Sequence, residues 1–147
     1  FLTVYCQHQH QMAGSKVVIE YVANKKAAMV QAVDYRLEQA LDKLLDNARD
    51  FHRPGTPIKV RLWADKFDWV IDVENQGDQV DLDKADQLFQ SMVTSRTQAS
   101  AGGAGHFGLG LYVVQTIAQF HKGTAQVANL ADGSGVCFSI RLPASLI

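Results

Sequence analysis

Residues 102–114, GGAGHFGLGLYVV, constrain this chain more than any other stretch, because a glycine tract runs straight into an apolar helical pattern. Five of the 11 glycines fall between Gly102 and Gly110, which concentrates the chain's backbone freedom at one point. Glycine lets backbone approach a ligand closely, and the start of a helix leaves unpaired amide hydrogens at the positive end of the helix dipole. Anions, phosphates above all, suit such a place. The same stretch also reads as a glycine-rich surface loop leading into an ordinary core helix, so the remainder of the chain has to decide between the two.

Composition narrows the choice. A chain of 147 residues that is 47% hydrophobic and 20% charged is the size of one domain, residues 1–147, with a sizeable core. Its net charge of -1 supplies no overall basic field, which argues against a nucleic-acid partner and favours a small phosphorylated ligand held at a local site. Cys6 and Cys137 have neither metal-ligand spacing nor a dense disulfide framework around them, so two reduced thiols in a cytoplasmic compartment are expected. No apolar run reaches the length of a membrane span and no signal peptide opens the chain. An opening at Phe1 rather than methionine suggests a fragment of a longer protein, whose own anchoring in the inner membrane stays open.

Periodicity then places the elements. Residues 1–13 read either as a short helix or as an extended lead-in, and residues 16–23, KVVIEYVA, as a strand. From Asp34 to Phe51 the residues Leu37, Leu41, Leu44, Leu45, Ala48 and Phe51 form one apolar helical face, which Pro54 and Gly55 terminate. Residues 58–64 and 68–74 alternate as two strands of a hairpin, and Asn75 continues the inward parity. Residues 82–89 suggest a brief helix, followed to Gly105 by a Ser, Thr, Gln, Ala and Gly-rich stretch expected to be a long mobile loop. A helix is expected from Leu109 to Phe120, then strands over 124–130 and 136–142 joined at Asp132-Gly133. The resulting fold class is a two-layer α/β sandwich, a mixed and mostly antiparallel sheet with helices on one face.

On the helix from 34 to 51, a rotation of about 100 degrees per residue puts Arg36, Lys43, Asn47 and Asp50 in one polar stripe. The amide oxygen of Asn47 suits Mg²⁺, a hard cation that keeps waters and substrate phosphates in its shell, and Lys43 or Arg49 can neutralise phosphate charge. The alternative is a solvated edge of an amphipathic helix. Asn75, before the turn residues Gln76-Gly77, offers an amide able to answer both the amine and the ring nitrogen of an adenine edge, or else bonds its own backbone. His106 and Phe107 either hold the loop over a nucleotide or cap the following helix. His8, His10, His52 and His121 pair with no nucleophile or metal set and read as surface or core residues.

Taken in order, these stretches resemble the catalytic and ATP-binding domain of sensor histidine kinases, within the wider gyrase, Hsp90, histidine kinase and MutL group. The likeness runs from about Val33 to Pro143: RLEQALDKLLDNARDF is similar to the asparagine box, VENQGDQV to the first glycine box, LFQSM to the phenylalanine box, GHFGLGLYVVQ to the second glycine box, and DGSGVCFSIRLP to the last glycine and strand. The resemblance implies Mg-ATP held between sheet and helices under a mobile lid over roughly residues 91–107. It assigns Asn47 to Mg²⁺, Phe89 to the pocket, Gly77 to the adenine turn, and Gly108 and Gly110, with Leu109, Leu111, His106 and Phe107 around them, to the phosphate side.

Departures from the pattern are specific. Asn75 stands where the family usually has aspartate, Lys43 where kinases commonly have asparagine and hydrolysing relatives glutamate, and Asp50 where a basic residue is usual, leaving Arg49 as its substitute. Gln79 replaces the last glycine of the first box, and Val136 a common threonine. The expected function is the ATP-binding module of a two-component sensor histidine kinase, in which no residue of this chain is itself the nucleophile. The alternatives are a hydrolysing ATPase of the same fold and a degenerate, non-catalytic module for nucleotide or partner binding. The implied partners are ATP, a phosphoacceptor helical domain of the same parent for which residues 1–15 would be the lead-in, a response regulator met through the parent, and a second copy of the parent in a homodimer.

Overall fold

Alternation in three strands and an 18-residue amphipathic helix dictate a sheet with one helical layer, and the computed structural model has that form over the residues it describes, 19–23, 34–65, 68–84, 89 and 104–143. The elements in order are β1 (Ile19–Ala23), α1 (Asp34–Phe51), β2 (Ile58–Asp65), β3 (Asp68–Gln76), a short 3-10 turn (Leu82–Lys84), α2 (Ala104–Phe120), β4 (Thr124–Asn129) and β5 (Gly135–Pro143). They form a five-stranded sheet in the order β1-β2-β3-β5-β4. Four strands pair antiparallel, and β1 pairs in parallel with β2, Ile19 opposite Ile58 and Ala23 opposite Leu62. The sheet is thus mixed and mostly antiparallel, as expected, with its helices on one face.

The register lines up apolar rows across the inner face. Val60, Val73 and Phe138 form one row, and Leu62, Ile71, Ile140 and Ala125 the next. Leu37, Ala40, Leu41, Leu44, Leu45 and Ala48 of α1 and Leu111, Val114, Ile117 and Ala118 of α2 close over these rows, and all are buried. Each large aliphatic side chain so buried contributes on the order of 1.5–3 kcal/mol. A third row, Ile58, Asn75 and Val136, carries a polar residue at its centre.

One expected boundary changes. The second helix begins at Ala104, five residues before Leu109, so His106, Phe107 and Gly108 stand in its first turns and the expected loop gives up residues 104–107. Glycine costs about 1 kcal/mol against alanine in a helix interior, and packing of α2 against α1 and the sheet outweighs that preference here. Of the brief helix expected over 82–89, Leu82–Lys84 form a 3-10 turn and Phe89 is helical, with residues 85–88 outside the described residues. The lid expectation for residues 91–103, the lead-in over 1–15 and the strand start at 16–18 also lie outside them.

The outer face of the sheet holds a polar centre that alternation alone reads as solvated. Asp72 is 3% exposed, and its carboxylate accepts hydrogen bonds from Arg61 Nη2 at 2.9 Å and Nε at 3.3 Å, Trp63 Nε1 at 2.7 Å and Ser139 Oγ at 2.5 Å. The bond to Asp72 raises the Arg61 pKa above its ordinary value. Burial, with Asp72 and Glu74 nearby, pushes the Cys137 thiol up to about 12, so it stays protonated at neutral pH. Replacing Asp72→Ala leaves three donors without their shared acceptor; we expect a loss of about 2 kcal/mol, read as a lower urea midpoint with an unchanged m value.

Candidate functional site

Helix α1 runs its lining residues along one edge at i, i+4 and i+8: Lys43, Asn47 and Phe51. At about 1.5 Å per residue this line is about 12 Å long, on the scale of a nucleotide. At its first end Lys43 lies against α2: a Cβ on Gly110 would stand 3.7 Å from both Cβ and Cδ of Lys43. At its far end the carbonyl of Phe51 occupies the space a Gly77 side chain would need, and Gly77 has a φ of 153°, open to glycine alone. Asn75 Nδ2 is 3.5 Å from that same Gly77 position, so the Asn75 amide lies where the turn after β3 meets the last turn of α1.

Between these ends sit two buried amides. Asn47 is 5% exposed, and neither Nδ2 nor Oδ1 has a hydrogen-bond partner among the described residues. Asn75 is 2% exposed; its Nδ2 donates to Gln76 O at 3.3 Å, while its Oδ1 has no partner. Buried polar groups are almost always paired, and one left unsatisfied costs about 1–3 kcal/mol. Three such atoms thus lie along one edge without a partner among the described residues.

Further ties hold the site together. Arg53 N donates to Gln76 O at 2.6 Å, His52 bridges to Gly77, and Gly77 N donates to Ser134 O at 2.9 Å. The Nδ1 of His52 lies 2.8 Å from Arg49 O, fastening the end of α1. Phe89 is buried in the core and meets Phe138 edge-on at 6.2 Å.

The structure therefore brings Lys43, Asn47, Asn75, Gly77 and Gly110 to one edge. Arg49 pairs with exposed Asp46 at 3.4 Å. Arg36 leaves the polar stripe to stack over the rings of Tyr35 and Phe120, at 5.6 and 4.7 Å. Leu111 is 1% exposed and fills the core. The backbone of His106, Phe107, Gly108 and Leu109 is helical. The reading of His52 as an ordinary surface or core residue missed its bridge to Gly77, which follows from the meeting of α1 with β3 and leaves no trace in local spacing.

A metal fits this donor set in one way. No group of three His, Cys, Asp or Glu is placed to hold an ion among the described residues, so Asn47 Oδ1 would be the chain's contribution to Mg²⁺, with phosphate and water oxygens completing the shell.

The family described as "Histidine kinase-, DNA gyrase B-, and HSP90-like ATPase" matches residues 32–146. The chain is 34% identical over 139 residues to the sensor protein ChvG of Agrobacterium fabrum, covering 88% of this chain and 23% of that protein. It is 32% identical over 146 residues to the sensor protein ChvG of Rhizobium meliloti, covering 91% and 25%. The chain thus spans about a quarter of the length of these relatives. In fold it is similar to the mycobacterial sensor histidine kinase MprB, with a TM-score of 0.79 at 22% identity over 99% of this chain and 96% of that one. The catalytic domain of the histidine kinase ThkA gives 0.77 at 20% identity, covering 97% and 89%.

Because both polar atoms of Asn47 are unpaired, truncating it removes a penalty along with a few atoms. Asn47→Ala should leave the melting temperature of the ligand-free protein unchanged or raised, whereas alanine at a satisfied buried amide lowers it; differential scanning calorimetry reads the sign.

Proposed function

Since the chain belongs to the histidine kinase-, DNA gyrase B- and HSP90-like ATPase family, we propose that it is the ATP-binding catalytic module of a sensor histidine kinase, presenting Mg-ATP to a histidine on a separate helical domain of its parent. The observation that carries this reading is the unpaired buried amide of Asn47, midway along an edge with glycine at one end and a second unpaired amide at the other. Asn75 Oδ1 would accept from the adenine amine, Gly77 would let the base approach α1, and Phe89 would floor the pocket. Asn47 Oδ1 would hold Mg²⁺, with Lys43, the backbone of Gly108, Leu109 and Gly110, and the turn bearing His106 and Phe107 on the phosphate side. Arg49 would have to leave Asp46 to join them.

The chain's contribution to the reaction is placement. Phosphoryl transfer asks for an in-line approach and neutralised charge more than for covalent participation, so binding and orientation are what these residues supply. Bound Mg²⁺ would offset charge on the phosphate oxygens. Lys43 tells against a hydrolase: it sets a cation where activating water requires a base within reach. The parent's homodimer, its response regulator and its attachment to a membrane belong to the same proposal; among the described residues no helix is long and apolar enough to cross a membrane.

Two measurements test the reading. In calorimetry with Mg-ATP and Mg-GTP, adenine should be preferred modestly, because the Asn75 amide can flip to present a donor to guanine's carbonyl; Asn75→Asp removes that donor and should widen the preference several-fold. Equal affinities in both forms would take Asn75 out of the site, and absence of binding at millimolar Mg-ATP would leave a degenerate module. In phosphate-release assays the 147-residue chain should turn over scarcely faster than solution, with Lys43→Ala weakening ATP binding and leaving release flat. Sustained turnover lost in Lys43→Ala would make the protein a hydrolase.

A further inference from the structure

We infer that Asn129 is a positioning residue for the nucleotide pocket, setting the path of the chain that leaves the Asn75 turn; the inference rests on the nucleotide-binding reading above. Asn129 ends β4, and its carboxamide takes up both main-chain groups of Val80 across 49 positions of sequence. Val80 N donates to Asn129 Oδ1 at 2.9 Å, and Asn129 Nδ2 donates to Val80 O at 3.0 Å. A planar side-chain amide thus stands in for the neighbouring strand that would otherwise supply a donor and an acceptor together.

The clamp works with a second tie. Gly77 N donates to Ser134 O at 2.9 Å, and between the two ties Gln79 Nε2 comes within 3.7 Å of where a Cβ on Gly133 would stand. Residues 77–80 therefore lie along the β4–β5 hairpin, held at Gly77 by main chain and at Val80 by a side chain. From there the chain passes through the Leu82–Lys84 turn to Phe89, which shares the core with Val80. Asn129 is only half-buried and lies outside the apolar core cluster, so removing its amide leaves the core's apolar contacts in place while freeing the stretch between the two expected nucleotide contacts, Asn75 and Phe89.

Asn129→Asp gives a readout that a purely structural role would not produce. The carboxylate keeps the acceptor for Val80 N but loses the donor and sets negative charge against Val80 O. That unfavourable contact raises the carboxyl pKa above its ordinary value of about 3.9. When protonated, the acid regains the donor. With a raised pKa in the clamped state, the clamp is present at low pH and is lost as pH rises through the shifted value.

The experiment is calorimetric titration of Mg-ADP into the 147-residue chain, wild type, Asn129→Asp and Asn129→Ala, with affinities normalised to wild type at each pH and melting temperatures recorded alongside. At pH of about 7.5 both variants should bind about tenfold more weakly, the aspartate by setting its charge against one of the two bonds and the alanine by losing both; at pH of about 5 the aspartate variant should recover most of that loss and the alanine variant none. Wild type binding with Asn129→Asp equal to it at the higher pH overturns the inference and leaves the nucleotide reading standing, as does a lowered melting temperature with unchanged affinity. Recovery by the alanine variant at low pH also overturns it. A wild-type chain that binds no Mg-ADP overturns both.

Discussion

The site depends on the join between the end of α1 and the end of β3. There the Phe51 carbonyl enters the space left by the missing side chain of Gly77, Arg53 N reaches Gln76 O, and His52 bridges to Gly77. A helix C-terminus has carbonyls without intrahelical partners, and a strand end has main-chain groups beyond its ladder; each here answers part of the other's need. Side-chain direction in a strand has period two, so a slip of one residue at this join would turn Asn75 to the outer face and Glu74 or Gln76 to the inner one.

The two faces of the sheet treat polar groups in opposite ways. On the outer face the buried carboxylate of Asp72 is saturated by Arg61, Trp63 and Ser139, as expected of a group that serves the fold. On the inner side Asn47 and Asn75 keep three unpaired atoms between them, an unfavourable contribution of several kcal/mol at about 1–3 kcal/mol each. Against a net stability of about 5–15 kcal/mol for a typical domain, that strain is too large to be incidental. The difference is between a buried polar group paired within the fold and buried amides that the described residues leave unpaired.

What was legible in the sequence was local. The span of α1 follows from the spacing of Leu37 through Phe51, the β2–β3 hairpin from its alternation, and the inward parity of Asn75 from counting along β3. Pairings between distant segments were not legible: nothing in residues 19–23 announces a parallel place beside β2, and nothing in β3 says that β5 rather than another strand will flank it. Asp72 reads as solvated by parity, because burial on the outer face depends on Arg61, Trp63 and Ser139 meeting across three strands. The start of α2 was misplaced since glycine content argues locally for a loop, while tertiary packing decides the helix. Of the candidate site, the amides and glycines follow from motif and parity; the contacts of His52 with Gly77 and of Asn129 with Val80 needed the fold.

One consequence of the strand order concerns the chain's tolerance of change in length. Since β3 and β5 are neighbours, with Gln76 opposite Gly135, everything between them is a loop closed by the central ladder of the sheet. The entropy of closing such a loop grows only with the logarithm of its length, about 0.6 kcal/mol for each doubling. The portion between the Leu82–Lys84 turn and α2 belongs to that loop, and both of its flanks are anchored separately, by Val80 to the hairpin and by α2 to α1. A change in the number of residues between Lys84 and Ala104 therefore costs sheet closure little, and the register of the β3–β5 ladder does not depend on it.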